Sequence, residues 1–198
     1  MVKATLRFIA SVLILSGVLT LSDAGATLLW QEPVSSFMAG RQQARLEEAF
    51  AKTPQVRSSP PARKPLPGGV IAKISFPTLN RDYFVVQGIG TGDLRKGPGH
   101  YPDTKLPGQG GTVAIAGHRT TYGAPFRTID RLRQGDRITL QMRYGTFDYR
   151  VQKTKIVAPT EVSVTRDKGY ERLVLSACHP LYSAAQRIVV FAKLVKRS

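Results

Sequence analysis

RITLQMRYGTFDYRVQ, residues Arg137 to Gln152, alternates apolar and polar side chains on either side of one turn. Ile138, Leu140 and Met142 fall on one face and Thr139, Gln141 and Arg143 on the other, the period-two pattern of a half-buried strand. After Tyr144-Gly145 the alternation resumes, with Phe147, Tyr149 and Val151 set against Asp148, Arg150 and Gln152, so the two runs predict a hairpin. Similar runs lie on both sides of it. Val70 to Ser75 ahead of Pro77, Tyr83 to Val86, Leu173 to Ala177 and Ile188 to Val195 read as strands, and Gly111 to Ala116 is apolar enough for burial on both faces. Pro125 to Leu132 is the one helical turn expected among them. Many short strands parted by Pro and Gly turns predict a mainly β fold, an antiparallel-rich sandwich or a closed barrel.

Upstream of these strands the character changes. Lys3 and Arg7 precede the apolar run Phe8 to Leu21, followed by Ser22-Asp23 and a second apolar stretch from Ala24 to Trp30. The first run is 14 residues, short for a span, and Ser22-Asp23-Ala24 has the make-up of a cleavage site, which fits a secretory signal peptide. Counted on to Trp30 the segment has 23 residues, enough to cross a bilayer. Both readings place the remainder of the chain outside the cytoplasm. Ser35 to Lys52 carries Phe37, Leu46, Ala49 and Phe50 at loose helical spacing and predicts a short helix. Thr53 to Gly69, with five prolines and a closing Gly pair, reads as an extended stalk. The chain therefore divides into 1–30 as a signal anchor, 31–69 as helix and stalk, and 70–198 as the folded domain.

The formal net charge is +16. Its cations are scattered through alternating patterns rather than gathered in a stripe, and the chain is exported, so nucleic acid is not the expected partner. Anionic lipid headgroups or wall polymers are the natural counter-ions. No acidic cluster suggests a metal site, and no cofactor is expected.

Two segments carry chemistry. Leu173-Val174-Leu175-Ser176-Ala177-Cys178-His179-Pro180 is an apolar run ending in the only cysteine of the chain, which has no partner for an internal disulfide. Val113-Ala114-Ile115-Ala116-Gly117-His118-Arg119 ends a second such run in a histidine. A thiol attacks an acyl carbon as thiolate, so it needs a base or a cation nearby. His118 supplies the base. Arg187 supplies the cation: it opens the run Arg187-Ile188-Val189-Val190-Phe191, and the short connection from Cys178 makes the two segments antiparallel neighbours. Adjacent residues of a strand face opposite ways, so His179 points away from the sulfur. His100, in a turn-rich loop, reads as structural or rim-lining.

Leu94-Arg95-Lys96-Gly97-Pro98-Gly99-His100-Tyr101-Pro102, Leu106-Pro107-Gly108-Gln109, Ala114-Ile115-Ala116-Gly117-His118-Arg119-Thr120-Thr121-Tyr122-Gly123-Ala124-Pro125-Phe126 and Leu175-Ser176-Ala177-Cys178-His179-Pro180 with Arg187 together closely resemble the sortase family, and the class E type most. The resemblance covers Gly69 to Val195, and it favours an uncleaved membrane anchor. It implies an eight-stranded sortase-type barrel and a cysteine transpeptidase. Cys178 would cleave an LPXTG-like or LAXTG-like sorting signal and hold the product as a thioester. His118 would protonate the leaving amine and deprotonate the incoming one, and Arg187 would position substrate and steady the oxyanion. Implied partners are secreted proteins bearing sorting signals and an amine of the peptidoglycan precursor or of a pilin; the implied location is the cell membrane, single-pass, with the domain outside. The family pattern before the cysteine is Thr-Leu-x-Thr-Cys, whereas Val174-Leu175-Ser176-Ala177-Cys178 stands here, so a hydroxyl that touches substrate or oxyanion is expected to be missing at Ala177. That departure, with the basic surface, admits a catalytically weak wall-binding or scaffold domain; a thiol hydrolase or L,D-transpeptidase-like wall enzyme is a separate alternative among enzymes.

Overall fold

The computed structural model describes residues 2–30, 33–55 and 65–198. Eight strands run β1 Val70–Phe76, β2 Arg81–Gln87, β3 Gly99–His100, β4 Thr112–Ala116, β5 Arg137–Met142, β6 Gly145–Val157, β7 Arg172–His179 and β8 Gln186–Arg197. They close into a barrel in the order β1-β2-β3-β4-β7-β8-β6-β5. The barrel alternative is therefore the one adopted. The hairpin read from Arg137 to Gln152 is the β5–β6 pair, with Leu140 opposite Phe147 and Ile138 opposite Tyr149. Most pairs are antiparallel, but β2–β3 and β4–β7 are parallel.

Alternation decides which side chains fill the interior. Ile138, Leu140, Phe147, Tyr149, Leu173, Leu175, Ile188 and Val190 point inward and join one core with Phe76 and Phe126, whose rings meet edge to face at 6.0 Å. Residues one position away on the same strands, Ala114, Val174, Val189 and Phe191, form a second cluster on the outer face of β4, β7 and β8, with Tyr101, Val157 and Val164 packed against it. Of the turn expected from Pro125 to Leu132, only Ile129–Arg131 is helical, as a single 3-10 turn, because burial of Phe126 and Ile129 fixes the chain there instead of a repeating helix.

Two helices precede the barrel. α1 spans Val2–Trp30 without a break at Ser22-Asp23, and its segment Lys3–Ala26 is long and apolar enough to cross a membrane and is not buried against the protein. α2 spans Pro33–Lys52, beginning slightly before the expected helix. It lies on the barrel, where Leu46 and Phe50 cover Phe84 and Val86. Phe37, expected on the apolar face, is exposed. α2 also repairs a gap in the sheet. β3 reaches only Val86 and Gln87 of β2, which leaves the Phe84 backbone at an open edge. The Gln43 side chain fills the role of a strand there, its Oε1 accepting from Phe84 N at 2.7 Å while its Nε2 donates to the carbonyls of Phe84 and Lys96 at 3.1 and 2.8 Å. Of the expected Thr53–Gly69 stalk, residues 56–64 lie outside the described residues.

Candidate active site

Strand register pairs Cys178 with Arg187, and His118 follows the end of the neighbouring strand β4. β7 and β8 are antiparallel with Cys178 directly opposite Arg187, so these two side chains share a face at the separation of a cross-strand pair, about 5 Å between backbones. β4 runs parallel to β7 with Ala116 level with Ser176, and Gly117 N continues the ladder by donating to Ser176 O at 3.1 Å. His118 comes next, beyond the last pair of that ladder, and its carbonyl accepts from Phe126 N at 2.9 Å. Parity settles the face. Leu173, Leu175 and Ala177 point into the core while Val174 lies on the outer cluster, so Cys178 projects from the outer face. Val189 on β8 belongs to that outer cluster, which puts Arg187 on the same side.

Cys178 is a free thiol, half-buried. The His118 ring lies 5.1 Å from the Tyr122 ring, and Arg95 sits over the other partner, its Cζ 5.4 Å from the Tyr122 centroid. Burial is the leading cause that holds the His118 imidazole below the ordinary histidine value, and the nearby Arg95 charge adds to it. The ring is therefore biased toward its neutral form. Its Nε2 is buried without a hydrogen-bond partner in the protein, a condition that buried polar atoms rarely tolerate outside functional sites. Arg187 is half-buried and turned onto its own connection, donating from one terminal nitrogen to the carbonyls of Ala184 and Gln186, both at 2.9 Å.

Behind these residues is one that the sequence reading quoted without a role. Arg119 is almost completely buried. Its guanidinium donates to Cys178 O at 3.4 Å and Arg127 O at 3.2 Å, lies 3.3 Å from His179 Nδ1, and pairs with Asp130 at 3.1 Å. It ties the end of β7 to the loop that follows His118. His179 accordingly faces Arg119 and not the thiol side, as strand alternation predicts. His100 is structural: it is buried, with Nε2 3.0 Å from the Lys105 carbonyl and Nδ1 3.0 Å from the Gln87 side-chain oxygen.

Ala177 requires a correction. Its side chain is 3% exposed and packs in the interior core opposite Ile188. A hydroxyl at this position would point into the barrel rather than toward the outer face, so its absence removes no contact on the thiol side. Of the two motives for reading the chain as a catalytically weak scaffold, this leaves only the basic surface.

Fold and rim together define a β-barrel thiol enzyme. A family-level match assigns residues 74–195 to the sortase domain. Sortase D of Bacillus subtilis is 35% identical over 136 residues, covering 67% of this chain and 67% of that protein, and Sortase SrtE1 of Streptomyces coelicolor is 27% identical over 206 residues, covering 96% of this chain and 57% of that protein. The match to these curated relatives thus spans about three fifths to two thirds of their own length. Among solved structures, sortase E from Streptomyces avermitilis superposes with a TM-score of 0.62 at 34% identity, covering 68% of this chain and 93% of that one. Sortase E1 from Streptomyces coelicolor, with a tripeptide in its active site, gives 0.63 at 27% identity over 72% of this chain and 93% of that one. The chain belongs to the sortase family, and the class E likeness read from its motifs fits these matches. Sortases are cysteine transpeptidases.

Proposed function

We propose that this chain is a membrane-anchored transpeptidase that cuts a sorting signal of the LPXTG or LAXTG kind and transfers the upstream protein to an amine of the peptidoglycan precursor or of a pilin. The observation that carries this reading is the pairing of Cys178 with Arg187 across β7 and β8, beside the parallel β4, whose last residue, Ala116, pairs with Ser176 and stands two residues ahead of His118. The Cys178 thiolate attacks the carbonyl carbon that follows the Thr side chain, and the tetrahedral intermediate expels the downstream amine, which takes its proton from the His118 imidazolium. The upstream polypeptide remains on sulfur as a thioester. An acceptor amine then attacks, His118 removes its proton, and the new amide forms as the thiolate leaves. Arg187 steadies the oxyanion and orients substrate with the planar fork of its guanidinium.

The tripeptide held in the active site of sortase E1 supports a peptide as the donor. The uninterrupted α1 helix supports an anchor, with 1–30 in the membrane, 70–198 as the catalytic domain outside it, and 31–69 between them, of which α2 is joined to the barrel. Incubation with a sorting peptide and an amine acceptor, followed by mass analysis, tests the reading. Wild type should yield conjugate, Cys178→Ala should form no thioester, and Arg187→Lys should lose about 100-fold or more in turnover, the usual cost of one oxyanion donor. Full activity in Cys178→Ala ends the proposal. Release of free acid irrespective of added amine would identify a hydrolase instead.

A further inference from the structure

A cavity of about 350 Å³ opens between β6 and the β6–β7 connection, and Lys153, Lys155, Lys168, Arg172 and Phe191 line it. Strand register explains why cations gather there. Lys153 stands opposite Phe191 and Lys155 opposite Val189, so both lysines project from the outer face that Phe191 and Val189 occupy. Lys168 comes from the connection and Arg172 from the first residue of β7. The one acid in the lining, Glu161, is engaged by the hydroxyl and the backbone N–H of Ser163.

Arg172 is the most informative member. It is 6% exposed, and its Nε donates to Thr112 Oγ1 at 2.9 Å while a terminal nitrogen donates to the carbonyls of Val164 and Arg166 at 2.9 and 2.8 Å. Every one of those acceptors is neutral. The hydrogen bonds are made but the charge is not compensated, and a buried charge is costly unless an opposite charge accompanies it. Among the described residues, the ion pairs involve none of Lys153, Lys155, Lys168 and Arg172. Lys153 and Arg172 lie instead over the Phe191 ring, 5.9 and 5.4 Å from its centroid.

We propose that this cavity binds a phosphate-bearing anion, a monoester or diester. Four cations against one engaged carboxylate call for a ligand of concentrated negative charge. A carboxylate is best matched by a free guanidinium fork, and the fork of Arg172 is already committed to carbonyls; converging ammonium groups act as point charges suited to phosphate oxygens. The volume corresponds to about twelve water molecules at ~30 Å³ each, room for a glycerol phosphate unit rather than a bare ion. Such a group occurs on anionic lipid headgroups and on soluble phosphodiester polymers. The site lies on the outer face shared with Cys178 but does not depend on the transpeptidase reading.

The full chain in nanodiscs of neutral lipid, titrated calorimetrically with inorganic pyrophosphate, should show saturable binding. The triple variant Lys153→Gln, Lys155→Gln, Lys168→Gln should weaken it at least tenfold, while Lys52→Gln, on α2 far from the cavity lining, should leave it unchanged. Dihexanoylphosphatidylglycerol below its micelle concentration and soluble poly(glycerol phosphate) are then compared, and binding of either that is lost in the triple variant supports the site and assigns its source. Equal affinity in wild type and triple variant overturns the proposal, as does citrate binding as tightly as pyrophosphate or no saturable binding at all. Thermal melts of the triple variant verify that the barrel is intact, so that loss of binding is not loss of fold.

Discussion

His118 lies tilted against the Tyr122 ring, which the Arg95 guanidinium also overlies. Burial and the Arg95 charge both disfavour its protonated form, so Arg95→Gln should remove only the second effect. We expect the His118 titration, followed by NMR, to move upward while burial still keeps it below the ordinary histidine value, and the alkaline limb of transpeptidation to move with it. A downward or absent shift would show that Arg95 does not reach the ring. One residue earlier, Gly117 has no room for a side chain: a Cβ would sit 2.6 Å from Cδ2 of Phe126, which is fully buried. Gly117→Ala should cost about 1–3 kcal/mol, as overpacking of a filled core does, and should lower activity through displacement of His118. Urea denaturation and turnover of the same sample measure both. These pressures were partly open to sequence reading. The type of each of His118, Cys178 and Arg187 was legible from its place at the end of an apolar run, but the work of Arg119 was not, because it depends on which backbone carbonyls surround a guanidinium after folding.

Strands were legible where they were long enough to show a period. The Arg137–Gln152 alternation gave β5 and most of β6, yet β3, with two residues, is too short to show alternation. The error over Ala177 arose from treating a motif as a row of substrate contacts, when counting one position from Cys178 places that side chain on the opposite face. α2 was expected as a helix but not as part of the barrel, since its docking joins the Leu46 and Phe50 contacts to the hydrogen bonds of one polar residue, Gln43, with a distant strand. Gln43→Ala removes three hydrogen bonds from the open edge of β2 and should cost about 1–3 kcal/mol. Hydrogen exchange should then accelerate across α2 and at Phe84, with β7 amides unaffected; uniform acceleration would mean that helix and barrel unfold as one.

Taken whole, the barrel holds one buried and one half-buried imidazole whose protonated forms are disfavoured. His100 is lowered chiefly by burial, offset in part by its hydrogen bond to the Lys105 carbonyl, and His118 by burial and Arg95. The unfolded chain takes up protons near the ordinary histidine value of about 6.5, before the folded barrel does. The unfolded state then binds more protons, so the contribution of these groups is fully present above that pH and is lost as pH falls toward the folded values. The urea midpoint should therefore drop between pH 7.5 and 5.5, and a midpoint that rises on acidification would contradict the assignment. The cap that α2 places over β2 also bears on how this protein is handled. A recombinant fragment trimmed at Val70, where the first strand begins, would leave Phe84 and Val86 bare to water and the Phe84 amide beside an unguarded edge, inviting two copies to stick together. Starting the fragment at Pro33 keeps that surface sheathed while leaving out the long apolar helix α1.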